Sequence, residues 1–353
     1  MTIATVFVGF VFGFLLQHAK VNRNDVITGM ALMKDWTVAK VMGLAVGVGA
    51  PLIAVLVELG LADYHVKPVM TGGLIWGGLL FGFGMAVLGY CPGTMTVSAG
   101  QGSLDAWVGI VGGLIGGLAF TLLDPAILPL LGPDHGPISL YSRIGGSTAV
   151  FFVFTMAVGV IVAWCVFAVD RREGGTDRSW IVSGIGLALL NAVLILDVSA
   201  GRPIGASTSF PYTADAIAGV TDNTYFSAIQ SSGRWELFFL LGAGLAGLVF
   251  SLVKRDFELR LIHSRWKRHK GHNPWRRIIW SLIGGFVLIF GARMAGGCTS
   301  GMILSGGMQL ARSGLIFAAF TFISFLLTGK LFYGHPVEDG ATAAGDAVAS
   351  RSS

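Results

Sequence analysis

Hydrophobic positions in this chain fall in long unbroken runs, without the three-four or alternating spacing of soluble helices and strands. Nine such runs, at residues 1–16, 37–60, 72–90, 104–123, 146–169, 180–198, 235–253, 278–296 and 313–333, are separated by polar or charged stretches. A bilayer-spanning helix needs about 20 mostly apolar residues, so the pattern predicts an all-α polytopic membrane protein with about nine transmembrane helices. No Lys or Arg precedes the first run and no small-residue cleavage site stands before His18. That run is therefore expected to stay as a span and not to act as a cleaved signal peptide.

Composition agrees. Hydrophobic residues make up 54% of the 353 positions and charged residues 12%, which is more apolar surface than a soluble fold can bury. The 52 glycines point to helices packed backbone to backbone, because lipid gives no hydrophobic drive for helix association. The net charge of +5 lies in the loops, so we read it as setting topology and expect no nucleic-acid partner. The densest basic stretch, Lys254 to Arg277, belongs in the cytoplasm by the positive-inside rule. Counting spans outward places Arg171, Arg172 and Arg178, and also Lys20, Arg23, Lys34 and Lys40, on that same side. The loops around Asp63–Lys67 and Leu123–Arg143 then fall outside, the N-terminus is outside and the C-terminus is cytoplasmic. The Ala-, Gly- and Ser-rich tail 334–353 reads as disordered.

One internal duplication is visible. Gly84–Gly100 lies over Gly291–Gly307 at an offset of 207 residues, with Cys91 and Cys298 in register and glycines matching on both sides. By the span count the two segments run in opposite directions, which makes the repeat inverted, as in many transporters. The expected organisation is a 4+1+4 inverted repeat: a first half at 1–145, a connector span and loop at 146–179, and a second half at 180–333. Short re-entrant helices are expected in the polar stretches 17–36 and 199–233. Gly201–Thr208, which mixes breakers with hydroxyls, is the expected re-entrant piece of the second.

The two cysteine segments carry the candidate chemistry. Gly89-Tyr90-Cys91-Pro92-Gly93-Thr94 and Gly296-Gly297-Cys298-Thr299-Ser300-Gly301 each end an apolar helix abruptly. Glycine allows unusual dihedrals and close ligand approach, and Pro92 suits the first turn of a new helix. A helix restarting at the cysteine presents unpaired N–H groups beside a thiol, an arrangement that favours an anion, and the soft sulfur donor favours a sulfur-bearing one. Arg293 stands near the end of the eighth run, where an ionisable group is costly and points to function.

Cys165, with no breaker near it, reads as a small apolar residue. Asp105 and Asp197 read as interfacial and the histidines as mostly solvated. No C-x-x-C pair, HExxH, GxSxG, Walker or Rossmann pattern occurs, so no metal, no cofactor and no enzymatic activity are expected.

At Leu88–Thr94, Gly102-Ser103-Leu104-Asp105-Ala106 and Gly291–Gly301, over both halves of the chain, the sequence resembles the YeeE/YedE family of sulfur-transport proteins of the bacterial inner membrane. The resemblance implies an hourglass-shaped importer of thiosulfate, with the anion passed along a short central path by cysteine thiols. It also implies a small soluble sulfur-carrier protein as the cytosolic acceptor. Relatives carry a further cysteine after the first span, in a setting that matches Lys20-Val21-Asn22, so Asn22 stands where a thiol is expected. Met302 stands where some relatives have His. Selenium-linked and persulfide-type species stay open as cargo. Beside the permease, two other classes remain: a membrane thiol or persulfide oxidoreductase, which would want a resolving cysteine, and an assembly scaffold.

Overall fold

The computed structural model describes residues 2–140, 148–175 and 177–334. The tail 335–353, Arg143 and the start of the fifth run lie outside the described residues. Every one of the nine apolar runs holds a helix. The elements are α1 (Thr2–His18), α2 (Asn24–Ala31), α3 (Thr37–Glu58), α4 (Thr71–Leu88), α5 (Pro92–Gly100), α6 (Leu104–Leu131), α7 (Thr148–Glu173), α8 (Ser179–Ile195), α9 (Ser209–Ala218), α10 (Thr224–Lys254), α11 (Ser264–Lys270) and α12 (Pro274–Met294). A π-helical turn, Thr299–Ser305, then leads through α13 (Gly306–Met308) to α14 (Arg312–Tyr333).

Among the described residues seven helices are long and apolar enough to cross a membrane, with α4 and α5 counted as one broken helix, Thr71–Gly100. Two shorter apolar helices, Ile3–His18 and Ser179–Ile195, occupy the first and sixth runs. The chain is a mainly helical, polytopic membrane protein.

Several boundaries differ from those the sequence suggests. α6 continues to Leu131 through Pro125 and Pro129, because the apolar sequence persists past the aspartate that seems to end it. α10 starts at Thr224, inside the polar stretch, because the Asn223 side chain accepts the Phe226 N–H at 2.7 Å and caps the helix. Gly201–Thr208 is irregular backbone, and the short helix α9 begins only after it. Two short antiparallel strands, β1 (Pro68–Met70) and β2 (Asp134–Pro137), close one end of the bundle.

The helices pack in a consistent set of pairs: α1 on α10, α3 on α8, α4 on α14, and α6 on α12. α4 and α12 cross at small residues. A Cβ on Gly77 would lie 2.6 Å from the Gly291 carbonyl oxygen, and one on Gly291 would lie 2.8 Å from the Gly77 oxygen. Such contacts let backbones touch where larger side chains would hold them apart. α7 packs on α3, anchored by Lys40 Nζ at 2.9 Å from Asp170 and 2.6 Å from Glu173.

Asp105 begins its span, as the sequence suggests, but it does not face solvent. It is fully buried in the first turn of α6, where it pairs with the equally buried Arg277 and lies 3.1 Å from His263 Nε2. A carboxylate at this depth needs a full charge partner, and Arg277, 172 residues away, supplies it. His263 and His269 are likewise buried, which corrects the solvated reading for those two.

Candidate functional site

Both cysteines sit at breaks of the predicted kind, built alike. At the first, α4 ends on Gly89 in the left-handed conformation (φ +81°), and at the second, α12 gives way to Gly296, also left-handed (φ +79°). Each glycine takes the left-handed turn that ends the helix two residues before its cysteine. A side chain at Gly89 would also strike Asn24 and Thr28 of α2. Cys91 and Cys298 follow in extended conformation as the residues that cap the next helical turn. Pro92 opens α5, while the second break restarts as a π-helical turn.

The carbonyls freed at the end of α4 are held by distant side chains. Leu88 O accepts from Asn24 Nδ2 at 2.9 Å and from the Arg277 guanidinium at 2.8 Å, and Val87 O accepts from Arg277 at 3.3 Å. The next residue but one, Tyr90, places its hydroxyl 2.9 Å from His263 Nε2 and 3.3 Å from Asp105. The buried network of Tyr90, Asp105, His263 and Arg277 thus fixes the first break from behind.

Each thiol has a hydroxyl neighbour. Thr94 Oγ1 accepts the Cys91 N–H at 2.8 Å and lies 3.2 Å from the Cys91 sulfur. Ser300 Oγ lies 3.1 Å from the Cys298 sulfur. Both cysteines are free thiols.

The thiols face two different spaces. Cys91 and Thr94 line a cavity of about 80 Å³ whose other walls are mostly apolar, Phe12, Leu16, Met85 and Phe325 among them. Thr299 and Ser300 of the second break reach the same cavity. Cys298, with Gly296, Gly297 and Gly301, lines a polar vestibule of about 440 Å³ roofed by residues 200–208. A third space of about 400 Å³, near the first break, is lined by Ser98, Gln101, Arg23, Arg260 and His263.

The remaining candidates are backing residues. Pro92 and Gly93 are buried, and a Cβ on Gly93 would sit 3.2 Å from the Phe12 ring. Arg293 is not in the vestibule wall. Its Nε donates to Tyr225 at 2.6 Å and its NH1 to Thr208 Oγ1 at 3.0 Å, so it acts on the vestibule through Thr208. Asn22, fully buried, donates to Gln101 Oε1 at 2.6 Å and Ser98 Oγ at 3.4 Å, two residues that line the third space. Met302 lies under Gly297, where a Cβ would meet it at 2.8 Å. Cys165 is exposed on α7.

Residues that sequence reasoning passed over complete the vestibule. Glu236 is buried, accepts the Thr208 N–H at 2.6 Å and pairs with Arg202 at 3.4 Å. Asn191 Oδ1 accepts from Ile204 N at 3.1 Å and from Ser305 Oγ at 2.9 Å, tying the roof to the second break. An acid and an amide inside apolar helices were signals for both. Among the described residues no group of three His, Cys, Asp or Glu side chains converges so as to hold a metal ion.

The sulphur transport family profile matches residues 18–327. Thiosulfate transporter TsuA of Spirochaeta thermophila is 26% identical over 329 residues, covering 89% of this chain and 93% of the relative. Thiosulfate transporter TsuA of Escherichia coli is 22% identical, covering 95% and 96%. The probable transporter YedE of Escherichia coli is 27% identical over 43% of this chain and 38% of its own length.

Proposed function

The chain belongs to the sulphur transport family, and from that premise we propose that it is a permease importing thiosulfate, or a small soft sulfur anion like it, across the bacterial inner membrane. The observation that carries this reading is the placement of two free thiols at like-built helix breaks, one in a polar vestibule and one in a mostly apolar cavity, with Ser300 beside the Cys298 sulfur and in the wall of the Cys91 cavity. The names of its TsuA relatives support the substrate class.

In this reading the vestibule at Cys298 opens outside and the space at Arg23 and Arg260 opens to the cytoplasm, as the basic 254–277 loop and the positive-inside rule favour. Cys298, with Ser300, offers a soft donor to the incoming anion, and Cys91, with Thr94, receives it across the cavity. The step is an exchange of hydrogen bonds with no covalent change. The cavity's lining sets the selectivity: a mostly apolar chamber penalises a hard, strongly hydrated anion such as sulfate more than a sulfur-terminated one. Arg293 adds positive potential from behind Thr208, and Asn22 shapes the exit through Ser98 and Gln101. A small cytosolic sulfur carrier is the proposed acceptor.

The inverted 4+1+4 organisation with nine spans belongs to the same proposal, with α7 as the connector. The packing supports it: exchanging halves turns the α4–α14 pair into α12–α6, and the α1–α10 pair into α8–α3. At the 207-residue offset, the Gly77–Gly291 contact maps onto Gly84–Gly284, which also meet, at 2.8 Å from a Cβ on Gly84 to the Gly284 oxygen.

Uptake of radiolabelled thiosulfate into proteoliposomes, with sulfate, sulfite and selenite as competitors, tests the reading. Thiosulfate uptake resisted by sulfate is expected. Turnover-dependent trapping of a mixed disulfide on Cys91 would instead favour the oxidoreductase class.

A further inference from the structure

The vestibule at Cys298 has an electrostatic asymmetry that the thiols do not explain. Three cations line it or stand behind its wall: Lys67, Arg202 and Arg293. Arg202 is committed twice, paired with Glu236 at 3.4 Å and stacked 4.5 Å from the centre of the Trp235 ring. Arg293 is committed to Tyr225 and Thr208. Lys67 alone of the three, among the described residues, has no side-chain hydrogen bond or ion pair, and it lines the same vestibule as Cys298.

Glu236 makes the difference between the two vestibule cations. It lies against the roof so closely that a side chain at Gly205 would strike its Oε1, and it takes up the charge of Arg202 while bonding the Thr208 amide. The roof is thereby held by the Glu236–Arg202 pair, and the vestibule cation without a contact partner among the described residues is Lys67.

Lys67 is also held in register with the cysteine turn. Its carbonyl accepts the Ser313 hydroxyl at 2.9 Å, and His65 N–H two residues earlier donates to Gln309 Oε1 at 2.6 Å. Gln309 in turn donates to Ser305 O at 3.1 Å, at the end of the π-helical turn that Cys298 begins. Pro68, next in sequence, enters the strand pairing with Pro137. A flexible lysine is thus mounted on a loop tied to the site, which reduces the ordering cost of ligand binding.

We propose that Lys67 is the anion-capturing residue of this vestibule, the charged partner for the oxygens of a small dianion whose sulfur end meets Cys298. The assignment rests on the permease reading for the identity of the anion. Charge-assisted hydrogen bonds to oxyanions are about twice as strong as neutral ones, and a free ammonium with three rotatable donors suits a ligand that must leave again.

The test is thiosulfate uptake by proteoliposomes carrying wild type, K67Q, K67R and K67E, with calorimetric thiosulfate binding to the solubilised proteins. Loss of Lys67 charge in K67Q is expected to raise KM and Kd roughly tenfold, with the maximal rate within about twofold and a weaker dependence on ionic strength. K67R is expected to stay near wild type and K67E to bind least. K67Q with wild-type KM, Kd and salt dependence overturns the assignment. Wild type that binds thiosulfate without transporting it sinks the permease reading alone, and Lys67 is then judged on Kd. Wild type that neither binds nor transports it overturns both.

Discussion

Ser300 places its hydroxyl 3.1 Å from the Cys298 sulfur and also lines the cavity that holds Cys91. The Cys298 thiol of the polar vestibule thus meets a hydroxyl of the mostly apolar chamber that holds Cys91. Because this hydroxyl sits against the first thiol and in the wall of the chamber of the second, it can follow an anion from one toward the other, and its loss should be felt in transfer.

Ser300→Ala is therefore expected to lower thiosulfate uptake about 5- to 10-fold, the scale of one lost hydrogen bond of about 1–1.5 kcal/mol. Ser300→Thr should retain most of the activity. Initial rates in proteoliposomes, normalised to inserted protein, check this; an unchanged rate in the alanine variant would remove Ser300 from the path.

The Asp105–Arg277 pair should dominate stability at the first break. Arg277→Met leaves a buried carboxylate without its cation and removes one of the two donors to the Leu88 carbonyl, so a loss of roughly 3–5 kcal/mol is expected. Adding Asp105→Asn to that variant should recover part of it. Thermal unfolding of the detergent-solubilised proteins measures both, and equal damage in single and double variants would show that the charge is not what matters.

Uptake should also respond to pH through Lys67. Packed walls remove part of the hydration of its ammonium, although it still meets solvent, and they push its pKa below the ordinary lysine value; Glu236 and Cys298 oppose this, while Arg293 and Arg202 add to it. His65, on the same loop, also lines the vestibule. Capture by the charged form is complete at low pH and is lost as pH rises through the lowered pKa. KM should climb with pH in wild type and stay flat in K67R, whose guanidinium does not titrate in that range. KM measured across the alkaline range decides between them.

The crossing of α4 and α12 gives a packing test. A Cβ on Gly84 would lie 2.5 Å from Leu288 N and 2.8 Å from the Gly284 oxygen, backbone atoms that cannot turn aside. Gly84→Leu should cost at least about 1–3 kcal/mol and lower the yield of folded protein, as should Gly291→Leu. Size-exclusion profiles and unfolding midpoints report this, and a well-folded G84L protein would contradict the close crossing.

Much of this architecture is legible in the sequence because membrane helices announce themselves locally. The apolar runs mark the helices, and the Gly-Tyr-Cys-Pro-Gly and Gly-Gly-Cys-Thr-Ser-Gly segments mark the breaks, since glycine and proline act on the backbone at their own positions. What is not legible depends on partners far apart in the chain. Asp105 reads as the start of a span, but its burial against Arg277, 172 residues on, shows only in the fold. Lys67, Arg202 and Glu236 come from two loops and a helix, and only the fold gathers them around Cys298. The helix starting at Thr224 hides behind a polar sequence that Asn223 caps, and Arg293 stands out in its apolar run, but its partners Thr208 and Tyr225 show only in the fold.

The central claim is that both thiols handle the same anion in turn. Its most direct measurement is initial-rate uptake of radiolabelled thiosulfate by proteoliposomes containing wild type, Cys91→Ala, Cys298→Ala or Cys165→Ala, each shown to be folded and inserted. The account predicts uptake near background for Cys91→Ala and for Cys298→Ala, with Cys165→Ala at the wild-type rate. Wild-type uptake by both Cys91→Ala and Cys298→Ala would contradict it.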